Sequence, residues 1–138
     1  MRALNLPNLS GLTLVVVDDN DDSLDMLDTF LTQCGAEVKA ARNVDTALSL
    51  IDTEPSIDAV VSDLSMPGRD GLDLIRQLRR HTTRANLPAI ALTGFPEHYA
   101  DARRAGYDVF LQKPVDFDKL CSAIQTAIAT KRAARNAG

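Results

Sequence analysis

Five short apolar or β-branched runs alternate with stretches whose apolar residues recur at helical spacing. That alternation is the signature of repeated strand–helix units around a parallel sheet, so the fold class is α/β. The first run, Leu12 to Val17, is nearly all apolar, as a strand covered on both faces should be. Ala36 to Ala40 alternates Ala, Glu, Val, Lys, Ala and suits a sheet edge, with one face towards solvent. Ile57 to Ser62 and Pro88 to Leu92 are further central strands, Pro88 standing where its missing N–H does least harm. Tyr107 to Leu111 is the fifth.

The intervening segments carry helix start and stop signals. The first helix begins near Asp21, stripes Leu27, Phe30, Leu31 and Cys34 on one side, and stops at Gly35. Asn43 suits the cap of a second, with Val44, Ala47, Leu48 and Ile51 inward. Leu74, Ile75 and Leu78 stripe a third after a turn over Gly68 to Gly71. The fourth, Glu97 to Ala105 and closed by Gly106, has only alanines and Tyr99 to bury, and should be the least firmly packed. The fifth starts at Asp116, turns Leu120, Ile124, Ala127 and Ile128 inward, and fades into a basic tail, Lys131 to Gly138. Residues 1–11 form a lead-in, 12–130 the single domain and 131–138 the tail.

Composition narrows the class further. At 138 residues and 45% hydrophobic the chain supports one domain with a sizeable core. Fifteen Lys and Arg against nineteen Asp and Glu leave a net charge of −4, which argues against nucleic acid as the main partner. No apolar run approaches the roughly 18 residues that a membrane span needs, and no export leader is evident, so the expected location is cytoplasmic. Cys34 and Cys121 form no CxxC pair and read as small core residues. They fall at the end of the first helix and the beginning of the fifth. If those helices are parallel neighbours, the two are too far apart to bond, and a native bond between them would be incompatible with this topology.

The informative feature is where polar residues fall. Asp18 and Asp19, Asp63 and Thr93 each follow a strand directly, and Lys113 stands two residues past the last one. In an open parallel sheet all strand C-termini lie on one edge, where ligands bind at the reversal of strand order. Three carboxylates gathered beside one ammonium repel each other unless a cation intervenes. Magnesium suits such a site because it takes carboxylate oxygens and bridges to phosphate. Taken singly, each residue has a plainer reading: Asp63 as a turn residue, Asp18 and Asp19 as helix caps, Thr93 as a loop hydroxyl and Lys113 as a solvated lysine. Only the constellation promotes them.

Val17-Asp18-Asp19-Asn20, Asp63-Leu64-Ser65-Met66-Pro67 with Gly71, Ala91-Leu92-Thr93 and Lys113-Pro114 together resemble the receiver domains of two-component response regulators. The resemblance implies a flavodoxin-like, doubly wound sheet of five parallel strands in the order 2-1-3-4-5 with five helices. It implies Asp63 as phosphoacceptor, Asp18 and Asp19 as the acidic pair for Mg2+, and Ser65 as the residue whose backbone carbonyl adds a ligand. Thr93 matches the hydroxyl that contacts the phosphoryl group. Lys113 matches the ammonium that pairs with carboxylates and then with phosphate, before a cis proline bond that would aim it at the site. Phe110 stands where many receivers carry a Tyr that turns inward on activation, so a ring-burial switch would lack the hydroxyl. Gly94, Phe95 and Ser65 would tune phosphoryl lifetime through water access.

The implied partners are a sensor histidine kinase or histidine phosphotransfer protein as donor and a downstream protein target. A homodimer through the fourth helix, fifth strand and fifth helix is also implied. His81 and His98 read as surface residues, so the donor histidine belongs to another protein. Leu9-Ser10-Gly11-Leu12 resembles the lead-in to receivers of hybrid histidine kinases, which leaves a stand-alone receiver and an excised domain both open. A receiver is not an enzyme beyond catalysing its own phosphorylation and dephosphorylation. Two competing functions are a phosphorylation-independent receiver-like adaptor and a haloacid-dehalogenase-like phosphatase. The latter would use Asp19-Asn20-Asp21, but it leaves Asp63 idle and finds only Asp116 and Asp118, better read as helix starters, for a late acidic motif.

Overall fold

A computed structural model describes residues 8–65, 70–80 and 84–137, with side chains to 134. Met66, Pro67, Gly68 and His81, which figure in the sequence motifs, lie outside the described residues. The strands are β1 (Thr13–Val17), β2 (Glu37–Ala41), β3 (Ala59–Asp63), β4 (Ala89–Thr93) and β5 (Val109–Gln112), all parallel, in the order β2-β1-β3-β4-β5. This is the expected doubly wound sheet. Observed strands start one or two residues later than the apolar runs because Leu12, Ile57, Pro88 and Tyr107 sit in the loops that enter the sheet. Asp63 and Thr93 are therefore the last residues of β3 and β4 rather than the first residues beyond them.

The side-chain period of two divides the core. Leu14 and Val16 of β1, Val61 of β3 and Ile90 and Leu92 of β4 pack under α1 (Asp21–Gln33) and α5 (Phe117–Ala137). Val15, Val17, Val60, Ala89 and Ala91 pack under α2 (Val44–Thr53), α3 (Gly71–Arg80) and α4 (Tyr99–Ala105). The expected Asn43 cap is in place, accepting a hydrogen bond from Thr46 N at 2.8 Å, whereas α1 is capped not by Asp21, the expected residue, but by Asn20 just before it, which accepts from Ser23 N at 2.9 Å. Asp70 caps α3 by accepting from Leu72 N and Asp73 N at 3.0 and 3.1 Å.

Of α4's seven residues only Ala102 is buried, and a single 3-10 turn, Pro96–His98, leads into the helix. Its C-terminal end is nevertheless tied down. Arg79 of α3 donates to the Gly106 carbonyl through Nε and Nη2 at 3.0 and 2.8 Å. It also donates to the Ala85 and Leu87 carbonyls at 2.9 and 2.6 Å and pairs with Asp108 at 3.1 Å. One guanidinium thus joins α3, β4, α4 and β5.

Two expectations change. The basic segment after Thr130 does not fade out but continues α5 to Ala137, with Lys131 pairing with Asp108 at 3.4 Å and Arg132 with Asp58 at 3.8 Å. Cys34 and Cys121 are also not remote. Phe30 stacks on Phe117 with ring centroids 4.3 Å apart, so the first residue of α5 lies level with the last third of α1. One turn further along each helix, the two thiols are neighbours close enough to interact. Counting from the helix starts misjudged the pair because the helices are offset along their axes. The topology stands, and it does not exclude a bond between them.

Gly71 opens α3 against the end of β3. A Cβ there would lie 2.6 Å from the Asp63 carbonyl oxygen and 2.9 Å from Leu64 Cα, both main-chain atoms that cannot swing aside. Gly71→Ala should therefore destabilise the fold by about 1–3 kcal/mol in urea unfolding, the usual cost of overpacking.

Candidate functional site

The C-terminal edge of the sheet gathers the polar residues. Asp18 follows β1 and is anchored at both ends: its N–H donates to the Ala41 carbonyl at 3.1 Å, and its Oδ1 accepts from Asn20 N at 2.9 Å. Asp63 ends β3 in register with Leu92, and its Oδ1 accepts from Ser65 N at 3.2 Å. Asp18 and Asp63 are 1% and 5% exposed, whereas Asp19 is open to solvent. Oxygens from all three carboxylates lie within 4.8 Å of one another.

Lys113 reaches this cluster from beyond β5. Its N–H donates to the Thr93 carbonyl at 2.8 Å, the bond to Pro114 is cis, and Nζ stands 3.2 Å from Asp63 Oδ1 and 3.5 Å from Asp18 Oδ2. Burial raises the Asp63 carboxyl above its ordinary value of 3.8; the Lys113 charge and the Ser65 N–H oppose that shift, and the Asp18 charge adds to it. Asp18 Oδ2 is fully buried and, Lys113's approach aside, lacks a hydrogen-bond donor. An orphaned buried oxygen beside two further carboxylates fits a hard divalent cation, which takes carboxylate oxygens.

Thr93 is fully buried at the end of β4, and its Oγ1 accepts from Phe95 N at 3.1 Å, which leaves its own proton free to donate. Phe95 itself is 54% exposed. Phe110 of β5 packs on the α4 face of the sheet, stacked on Tyr99 at 5.5 Å with the Arg103 guanidinium 5.0 Å from its ring centre. Ser65 is exposed next to the cluster. His98 lies on the surface turn before α4, tilted against Phe95 at 5.4 Å.

Sequence reasoning did not single out Tyr107, Tyr99 or Arg103 for the site. The buried Tyr107 hydroxyl donates to the Gly71 carbonyl at 2.7 Å and so ties the entrance of β5 to the start of α3 behind Asp63. Burial pushes that hydroxyl well above its ordinary pKa, so it remains a donor. Tyr99 and Arg103, four residues apart on one helix face, were recoverable from spacing once α4 was laid against β5. Of the phosphatase alternative's residues, Asn20, Asp21 and Asp116 have other partners, while Asp19 joins the cluster around Asp63. Asn20 caps α1, Asp21 pairs with Arg42 at 3.1 Å, and Asp116 Oδ1 accepts from Asp118 N and Lys119 N.

The result is a doubly wound parallel sheet of the flavodoxin-like class with three carboxylates and a lysine gathered at its C-terminal edge, where such sheets bind ligands. The chain belongs to the response regulator receiver domain family, whose model matches residues 14–125. It is 39% identical over 123 residues to a 14.6 kDa protein from the sodA1 3′ region of Leptolyngbya boryana, covering 87% of this chain and 92% of that one. The regulatory protein AtoC of Escherichia coli is 36% identical over 83% of this chain, which spans only 25% of AtoC. A solved response regulator receiver domain protein from Clostridium thermocellum superposes with a TM-score of 0.81 at 30% identity, covering 88% of this chain and 98% of that one.

Because the folded state holds Asp63 above its unfolded pKa, its protonated form favours folding. That contribution is full below about pH 3.8 and is lost as pH rises through the raised folded value. Without divalent ions, Asp63→Asn should therefore gain stability over the wild type as pH rises through that window, in paired urea titrations. Magnesium at about 100 times its Kd should return about 2.7 kcal/mol to the wild type and much less to the variant.

Proposed function

We propose that Asp63 is the phosphoacceptor of this receiver and that Asp18, Asp19, Asp63 and the Ser65 carbonyl hold its magnesium ion. The observation that carries this reading is the approach of Lys113 Nζ to both buried carboxylates, Asp63 at 3.2 Å and Asp18 at 3.5 Å. Bound magnesium would supply positive charge to the phosphoryl oxygens. An Asp63 oxygen forms the new bond to phosphorus as the bond to the donor breaks, and the donor's leaving group keeps the electron pair. Phosphorylation removes the carboxylate's own negative charge from Asp63, which frees Lys113 to pair with a phosphoryl oxygen. Thr93 then donates its free proton to another.

Moving Thr93 Oγ1 towards the phosphoryl group pulls on Phe95 N, which it accepts from, and through that loop on the start of α4. Phe110 responds by ring packing alone. Gly94, Phe95 and Ser65, open around the pocket, set how readily water reaches the acyl phosphate. The donor is a histidine kinase or phosphotransfer protein. The output is a protein contact, and self-pairing through α4, β5 and α5 is one form it takes. We place the protein in the cytoplasm, with no nucleic acid partner and no enzymatic activity beyond its own phosphorylation and dephosphorylation. Residues 12–130 form the working unit, preceded by the 1–11 lead-in and followed by the basic 131–138 segment.

The test is intact mass after incubation with acetyl phosphate. A phosphoryl adduct should form on the wild type only with magnesium present and should be absent from Asp63→Asn. An adduct that persists in the variant would move the acceptor elsewhere. No adduct, together with no binding of beryllium fluoride, would favour the phosphorylation-independent adaptor.

A further inference from the structure

We propose that Cys34 and Cys121 form a dithiol modification site, which a low-molecular-weight disulfide such as oxidised glutathione closes into an intrachain bridge between α1 and α5. These are the chain's two cysteines, far apart in sequence, and the fold brings their thiols together as free neighbours in one apolar cluster. The register that does this is set one turn earlier. Each cysteine stands four residues past one of the two stacked rings, Phe30 and Phe117, and residues four apart share a helix face. A bond forms once this helix–helix contact holds the two Cα atoms within about 7 Å of each other.

Cys34 caps the end of α1, beside the solvent-exposed Gly35, whereas Cys121 sits within α5. Burial, and then the Cys34 sulfur beside it, push the Cys121 thiol up to about 12, so Cys121 stays protonated in the closed protein. Cys34 is therefore the sulfur that meets the oxidant, when its helix end opens. Its thiolate attacks one sulfur of the oxidant, forming a mixed disulfide and releasing one glutathione, which takes up the proton that Cys34 lost. The Cys121 sulfur, giving up its own proton, then attacks Cys34 and displaces the second glutathione. Two protein thiols are oxidised and one small disulfide is reduced. The bridge lies between α1 and α5, across the sheet from α2, α3 and α4. It would fasten α1 to α5 without engaging the Asp63 cluster, so this inference stands apart from the phosphoacceptor assignment.

The test incubates the whole native chain with oxidised glutathione well below its melting temperature, alkylates the remaining thiols, and reads intact mass and linked peptides. The expected product is monomeric, lighter by two hydrogen atoms, with neither thiol alkylated and a Cys34–Cys121 peptide that dithiothreitol separates. It should melt several degrees higher than the reduced protein, because the bridge restrains the unfolded chain. Cys34→Ser and Cys121→Ser should each fail to form the lighter product. Glutathione retained on either cysteine of the wild type, a bridge between chains, or two free thiols after prolonged exposure would each overturn the proposal.

Discussion

Two carboxylates buried side by side at the end of a sheet cost energy in proportion to their desolvation and mutual repulsion, and the Lys113 ammonium is what opposes both. The rest of the molecule serves that arrangement. β1 and β3 are adjacent parallel strands, so Asp18 and Asp63 emerge together. β4 and β5 bring up Thr93 and Lys113, which are joined by a backbone hydrogen bond. Gly71 and the Tyr107 hydroxyl pack the space behind Asp63, where any larger residue would push on its carbonyl. The compensation is incomplete, since Asp63 stays raised and Asp18 Oδ2 stays short of a donor. In the proposed site, that residual deficit is what a bound cation would relieve.

The surrounding layers differ in how firmly they are held. α1 and α5 are pinned to each other by a ring stack and an apolar cluster that reaches deep into the sheet. α4 buries one alanine, and its two ends are unlike. The C-terminal end is fixed through Gly106 to Arg79, which is committed to several carbonyls and Asp108 at once. The N-terminal end follows a short 3-10 turn and rests on the Tyr99–Phe110 contact. In the proposed switch a pull on Thr93 would therefore meet least resistance at the start of α4, with the Arg79 contacts as the fixed end.

The strands and the polar residues at their ends were legible in the sequence because both follow from patterns that need no tertiary register, while the strand order came from the resemblance to receivers. A run of Leu-Val-Val-Val ending in Asp-Asp states at once that a strand is buried and that its end is polar. The chain's strand order placed those ends together without any knowledge of helix offsets. What stayed hidden depends on how one element slides along another. Cys34 and Cys121 looked remote because helix starts were taken as level, while Phe30 on Phe117 sets a different offset. Arg79 is one of two adjacent arginines at the end of α3, and nothing local shows that it faces the carbonyls of a later loop. The basic tail looked like a fading end, yet its Lys131 and Arg132 find aspartates at the opposite edge of the sheet and prolong α5.

Under the proposed switch, Phe110 would shape the kind of signal this receiver sends. With no hydroxyl, the ring has no directional bond to make or break, so its two positions differ only in packing and in what lies over its face. In the present state those contacts are a stack on Tyr99 and the Arg103 cation. Contacts of these kinds contribute about 0.5–1.5 and 0.5–1 kcal/mol respectively. Their sum is close to the roughly 1.4 kcal/mol that separates populations by tenfold, well below the roughly 5.5 kcal/mol needed to carry a two-state element from 1:99 to 99:1. A resting bias of that size is one that a new acyl phosphate, acting through charge-assisted hydrogen bonds to Lys113 and Thr93, has enough energy to reverse. Under the proposed switch, contacts this weak would let a partner that prefers another ring position select it with only modest extra affinity.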